Sequence, residues 1–225
     1  MTESGEAIFE RVRQNLAVAE GSLNEIQSSL PRTISWIQRE WMIANQNHAR
    51  ALLTGAKISL LEAGTAWAIG SNRGAASSLR VFTENTIAWL YYKDHPVEYN
   101  MVIVNGADLL LPKAVQSYLK LVDLGFEKNY SLLSKYAKRS TEYFYTAVSQ
   151  FVHAHPAFAA DHLKLEESAI SVPRDPGFLK LVEMTDEFIS DCYAVVYRHS
   201  WDDLPVAARA DIELRLGAKV SSFLN

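Results

Sequence analysis

The sequence predicts an all-α protein, a single-domain bundle of about seven helices. Apolar residues make up 48% of the 225 residues and recur at steps of three and four, the spacing of an amphipathic helix. The chain has only ten glycines and seven prolines, and they fall in a few places. An all-β chain of this length would need many more turn residues. The long helical patterns also outweigh the best strand candidate, residues 101–104.

The first part of the chain predicts three long helices. Residues 3–29 place their apolar side chains on one helical face, and Pro31 ends this helix or opens the next. The same periodicity continues almost to Gly70, with a break near residues 45–47. After a glycine-containing turn, a further helix spans residues 75–93.

The middle of the chain predicts shorter helices. Residues 97–104 form one or two helical turns, and Pro112 opens a helix that ends near Gly125, a residue suited to the position after a helix. Residues 126–137 and 140–154, rich in tyrosine and phenylalanine, then form one helix or two.

The C-terminal part follows the clearest loop in the sequence, residues 173–177 with two prolines and a glycine. Beyond it we expect a strong helix over residues 178–196 and a last helix over residues 204–223. The flanking segments are too short for independent cores. We therefore predict one domain over residues 1–225, with residues 177–225 as a C-terminal helical subregion.

Net charge, cysteine content and the pattern of apolar residues exclude several classes of protein. The net charge of −4 argues against a nucleic-acid binder held by bulk charge. Cys192 is the only cysteine, which indicates a reducing compartment, and the start of the chain lacks the pattern of a secretory signal. Lys57 and Glu62 interrupt the most apolar stretch, so we expect no membrane span and a cytoplasmic protein. Residues 161–191 carry eight acidic side chains, which we interpret as a solvated helix face; a surface for a basic partner is the alternative.

Signatures of known catalytic sites are missing from the sequence. It contains no GxGxxG, GxxxxGK[ST], HExxH, GxSxG or CxxC pattern. His153 and His155 are two residues apart, so on a helix they would point in diverging directions and make a poor metal pair. We predict neither a metal site nor a cofactor.

Four polar residues form the main candidate site. Arg80 and Glu84 share one face of an otherwise apolar predicted helix, and burial of two charges is costly unless they are paired. Ser149 and His153 lie one turn apart on a second helix. If the two helices pack together, the four side chains could meet, either as a working site or as a polar network that fixes helix register.

A smaller basic cluster lies beside the aromatic residues of the middle helices. Lys135, Lys138 and Arg139 are candidates for contact with nucleic acid. The aromatic residues themselves have helical spacing and few interleaved cations, which favours packing in the core over stacking on bases.

The Arg80–Glu84 helix after a glycine-containing turn, followed by Ser149 and His153 near a helix end, resembles bacterial HEPN-like helical proteins. The resemblance covers about residues 49–155. It implies a HEPN-like helical fold, a bacterial origin and a place in toxin–antitoxin or phage-defence systems, where active members are metal-independent RNases. Their catalytic arginine precedes a histidine by four to six residues, and no arginine of this chain does so.

Two functions follow from the sequence. The first, which we favour, is a non-catalytic module that binds a protein partner or a second copy of itself. The second is a divergent RNase or nucleotide-acting enzyme. In it His153 would transfer protons, Arg80 would hold a phosphate, Glu84 would orient Arg80, and Ser149 would donate a hydrogen bond. The same four residues would also form a phosphate pocket without turnover.

Overall fold

The computed structural model describes residues 5–17, 19, 21–137, 148, 152 and 176–224. These residues contain eleven α-helices and no strand. In chain order the helices are α1 (Gly5–Ala17), α2 (Ser22–Ser28), α3 (Pro31–Ile43), α4 (Arg50–Ala68), α5 (Asn72–Tyr92), α6 (Pro96–Asn105), α7 (Pro112–Val122), α8 (Phe126–Ala137), α9 (Pro176–Val196), α10 (Val206–Leu216) and α11 (Val220–Leu224). The all-α prediction is confirmed for this part of the chain.

The helices are more numerous than the sequence predicts because several predicted helices are divided. Residues 3–29 form α1 and α2, which are separated by a turn at Gly21 with φ of +90°. Gly217, with φ of +50°, likewise ends α10 inside the predicted last helix. A positive φ is easy for glycine and cannot continue a right-handed helix. The break expected near residues 45–47 is present between α3 and α4.

Helices α4 and α5 form the centre of the fold as an antiparallel hairpin. Their connection is a Schellman motif, in which Gly70 N–H donates to the Trp67 carbonyl at 2.9 Å and Ser71 N–H to the Ala66 carbonyl at 2.8 Å. Gly70 has a φ of +85°, which this motif requires. The motif reverses the chain within three residues, so the two helices pack along their length.

The other helices pack around this hairpin. Helix α9 lies against α5, α3 and α8, α2 packs on α4, α7 packs on α5, and α10 packs on α3 and α8. Large aromatic side chains fill the space between them, as the helical spacing predicts. Those buried most completely are Trp36, Phe82, Trp67, Trp89, Phe126, Phe178, Tyr193 and Phe223.

Candidate functional site

Arg80 and Glu84 lie near the middle of α5, on one face of the helix. Arg80 Nε donates to Glu84 Oε1 at 2.8 Å, and the side chains are 22% and 17% exposed. The pair is therefore half-buried and not a solvated surface contact. An arginine guanidinium is planar and carries five N–H donors, which is the chemistry that suits this residue type to phosphate oxygens.

Position 152 comes close to the N-terminal part of α5. Arg73 Nη2 donates to the Val152 carbonyl at 2.9 Å, and Val148 is buried in the core. Arg73 is seven residues before Arg80, which places both on one face of α5. Ser149 and His153 lie outside the described residues, so their meeting with Arg80 stays a prediction.

Two of the described histidines, His48 and His95, do not join Arg80. His95 stacks on Tyr91 with ring centroids 4.0 Å apart, and its Nδ1 lies 2.6 Å from the Tyr91 carbonyl oxygen. His48 Nε2 lies 2.6 Å from the Tyr92 carbonyl oxygen. Both rings therefore lie near the C-terminal end of α5, about 16 Å along the helix axis from Arg80.

The candidate basic cluster falls largely outside the described residues. Lys135 is an exposed side chain in the last turn of α8. Lys138 and Arg139 follow directly in the sequence, in the part that the structure does not describe. Their contact with nucleic acid stays a prediction.

A buried carboxylate that the sequence analysis missed joins α3, α5 and the end of α9. Glu40 Oε1 accepts a hydrogen bond from Arg39 Nη1 at 2.5 Å, and Oε2 accepts one from Trp89 Nε1 and one from the Tyr197 hydroxyl, both at 2.8 Å. Burial and the charge of Glu40 raise the pKa of Tyr197, so this hydroxyl stays a donor at physiological pH. The cluster is fully bonded, which indicates an architectural role.

A second buried network corrects the prediction of a solvated acidic face at two residues of the 161–191 stretch, Asp186 and Asp191. Asp186, on α9, is buried and not solvated, because Arg32 Nε donates to its Oδ2 at 2.6 Å. The backbone N–H of Thr33 donates to Asp186 Oδ1 at 2.7 Å, so this carboxylate also caps the N-terminus of α3. Burial lowers the pKa of Arg32, but the charges of Asp186 and Asp211 outweigh that effect and raise it.

The same network continues to α10. Arg215 Nη2 donates to Asp191 Oδ1 at 2.7 Å and to Asp211 Oδ2 at 2.5 Å, while Arg32 Nη1 reaches Asp211 Oδ1 at 2.6 Å. Asp191 is fully buried. The acidic side chains Asp186 and Asp191 are therefore internal partners of arginines, and they are not available to a basic partner protein.

An ion pair between Arg198 and Asp123 fixes the turn between α7 and α8. Arg198 forms a bidentate pair with Asp123, with 2.8 Å between Nη2 and Oδ1, and its Nη1 also donates to the Val195 carbonyl at 2.8 Å. Gly125 lies against the pair, where a Cβ atom would come within 2.7 Å of Arg198 Nη2. Arg198 therefore complements the C-terminal end of α9, where the helix dipole favours a positive charge.

The described residues offer no metal centre and no reactive thiol. They contain no group of three or more His, Cys, Asp or Glu side chains that could hold a metal ion. Cys192 is buried, and burial raises the pKa of its thiol to about 12, which suppresses the nucleophilic thiolate. Among the same residues, none of the helices has the length and apolar character to cross a membrane.

Comparisons with known proteins give no relative from which a role could be assigned to these residues. No family model, no curated protein and no solved structure matches the chain.

Proposed function

We propose that the protein is a non-catalytic helical binding module that assembles with a second copy of itself. Its setting in this proposal is the bacterial cytoplasm, as a single-domain subunit or regulator of a defence or toxin–antitoxin system. The sequence resemblance to HEPN-like proteins supports that setting. The observation that carries the binding function is the exposed apolar face of α6.

Helix α6 presents large apolar side chains to solvent. Val97, Met101 and Val104 are 70%, 49% and 68% exposed, and they follow one another at i, i+4 and i+7 along one face. Ile103 beside them is 63% exposed. An apolar stripe of this kind on a protein surface marks an interaction site, because single exposed apolar residues are normally scattered.

The charge of α6 favours a second copy of the chain as the occupant. Glu98 is the only charged residue of this helix, so the stripe can pack on its own copy without repulsion between like charges. Helices that lie on membranes carry lysine and arginine beside the apolar face, and α6 has neither. We therefore place the symmetric contact at α6, with Asn100 and Asn105 at its polar rim.

The test is the molar mass in solution as a function of concentration. We expect sedimentation velocity to show a monomer–dimer equilibrium at micromolar concentrations. Met101→Lys and Val104→Glu place a charge within the apolar contact, so each should shift the protein to monomer at concentrations where the wild type is dimeric.

The matched control is Leu214→Lys. Leu214 is 87% exposed on α10, and the same change there should leave the equilibrium as it is. A wild-type protein that stays monomeric up to the highest soluble concentration contradicts the proposal, as do α6 variants that dimerise like the wild type. Co-sedimentation with anionic vesicles, lost in Met101→Lys, would assign the stripe to a membrane instead.

The Arg80–Glu84 pair supports a second candidate function, a metal-independent RNase or nucleotide-acting enzyme. The pair is half-buried on α5, and the Arg73–Val152 hydrogen bond joins the N-terminal part of that helix to the segment that carries Ser149 and His153 in the sequence. These two facts support a cluster of an arginine, a carboxylate, a hydroxyl and an imidazole. Such a set can bind a phosphate and transfer a proton.

The two candidates differ in turnover. The assay incubates purified protein with RNA in the presence of a chelator. We expect the wild type to cleave no more RNA than the His153→Ala and Arg80→Gln variants, because a non-catalytic module has no RNase activity that these substitutions could remove. Cleavage by the wild type that falls by two orders of magnitude or more in both variants, with circular dichroism unchanged, would establish the enzyme. Lys128→Gln serves as the control, since Lys128 is an exposed cation on α8 that belongs neither to this cluster nor to the candidate basic cluster.

A further inference from the structure

Two cations lie against one tryptophan ring at the junction of α3 and α4. Trp41 is in the last turn of α3 and is half-buried. The Arg50 guanidinium carbon is 4.0 Å from the centroid of its ring, and Lys57 Nζ is 3.5 Å from it. Both distances are within the range of a cation–π interaction, so the ring holds the two side chains in place.

The two positive charges are not neutralised within the described part of the chain. Neither Arg50 nor Lys57 forms an ion pair with a carboxylate there, and the hydrogen bond of the Arg50 side chain goes to the Asn45 carbonyl at 3.3 Å. Burial and the charge of Arg50 lower the pKa of Lys57. No ion pair within the described residues compensates these two cations, although the chain carries 26 aspartates and glutamates.

The surface of α4 adds a hydroxyl between the two cations. Arg50, Thr54 and Lys57 follow one another at i, i+4 and i+7, so they share one face of the helix, and Thr54 is exposed. Arginine supplies planar paired donors, lysine a point charge and threonine a hydroxyl donor. This combination matches the oxygens of a phosphate group.

We propose that Arg50, Thr54 and Lys57, ordered by Trp41, form a binding site for the phosphate of a small phosphorylated molecule. The tryptophan ring orders the cations before the ligand arrives, which reduces the entropy that binding must overcome. The proposed site contains none of the residues of the α6 contact and does not include Arg80. With this site, the binding module can sense a small phosphorylated molecule.

Pyrophosphate is the probe for this site, because it carries the chemistry without a base or a sugar. We expect isothermal titration at low ionic strength to show saturable binding at one site. Lys57→Gln and Arg50→Gln should each weaken binding about tenfold or more, the effect of losing one charge-assisted hydrogen bond. Trp41→Leu should also weaken it, because the charges remain but lose the ring that orders them.

The control variant is Lys113→Gln, which removes an exposed lysine on α7 and should bind pyrophosphate like the wild type. Lys57 is exposed on α4, so its variant keeps the fold and carries the test if Arg50→Gln unfolds. Tryptophan emission should change on binding in the wild type and not in Trp41→Phe. Heat that does not saturate, or equal affinity in the Lys57 and Lys113 variants, overturns the proposal. Tight binding of a single-stranded oligonucleotide that pyrophosphate does not displace overturns it in favour of nucleic acid.

Discussion

Glu40 shows how a single buried residue can hold three helices in register. Its carboxylate accepts hydrogen bonds from Arg39 on the same helix, from Trp89 on α5 and from Tyr197 just after α9. The Arg39 guanidinium also lies 4.5 Å from the ring centroid of Tyr197. A carboxylate with this many donors inside a core is stable only while all of its partners stay in place.

Removing the Glu40 carboxylate should therefore destabilise the protein strongly. We expect Glu40→Leu to lower the free energy of unfolding by about 3–5 kcal/mol, because it leaves the charge of Arg39 and two buried donors without an acceptor. Urea unfolding followed by tryptophan fluorescence measures this change. Glu213→Leu, on the exposed surface of α10, is the control and should stay within about 0.5 kcal/mol of the wild type. An equally small effect at Glu40 would show that the network contributes nothing.

At the scale of elements, the Arg198–Asp123 pair connects the turn between α7 and α8 to the segment after α9. Asp123 Oδ1 also accepts the backbone N–H of Gly125 at 2.9 Å, which shapes the turn itself. The hydrogen bonds from Arg198 lower the pKa of Asp123 more than its burial raises it. A carboxylate with a lowered pKa in the folded state makes the stability depend on pH.

The sign of that dependence follows from the direction of the shift. Asp123 stabilises the fold fully at pH values above the ordinary pKa of an aspartate, and this contribution is lost as the pH falls through the lower pKa of the folded state. We expect Asp123→Asn to be less stable than the wild type at pH 7 and to approach it as the pH falls below the ordinary pKa of an aspartate. Urea midpoints of both proteins between pH 7 and pH 3 measure the difference. A gap that stays constant with pH would contradict the assignment to Asp123.

Across the whole molecule, local signals were readable in the sequence and long-range pairing was not. Pro31 and Pro112 each stand at the first position of a helix, where their missing N–H is harmless, so these starts could be predicted. The break at Gly21 was missed because apolar residues keep the same spacing on both sides of it. Helical periodicity alone does not report a positive φ.

The charged residues show the same limit. Arg80 and Glu84 are one turn apart, so the sequence alone could bring them together. The partner of Arg32 is 154 residues away, and nothing in the local pattern distinguishes Asp186 from a solvated carboxylate. Trp41, Arg50 and Lys57 were missed for a related reason, since the ring and the two cations belong to different helices.

The late position of α9 in the chain has a consequence for the order of synthesis. A ribosome adds about 5–20 residues per second, so roughly 5–20 seconds separate completion of α5 from completion of α9. During that interval Asp186 has not yet been synthesised, so its ion pair with Arg32 cannot form. The faces of α3 and α5 that pack against α9 in the folded protein are also exposed. The nascent chain therefore leaves these faces exposed at mid-translation, until the last 50 residues, from Pro176 onward, are made.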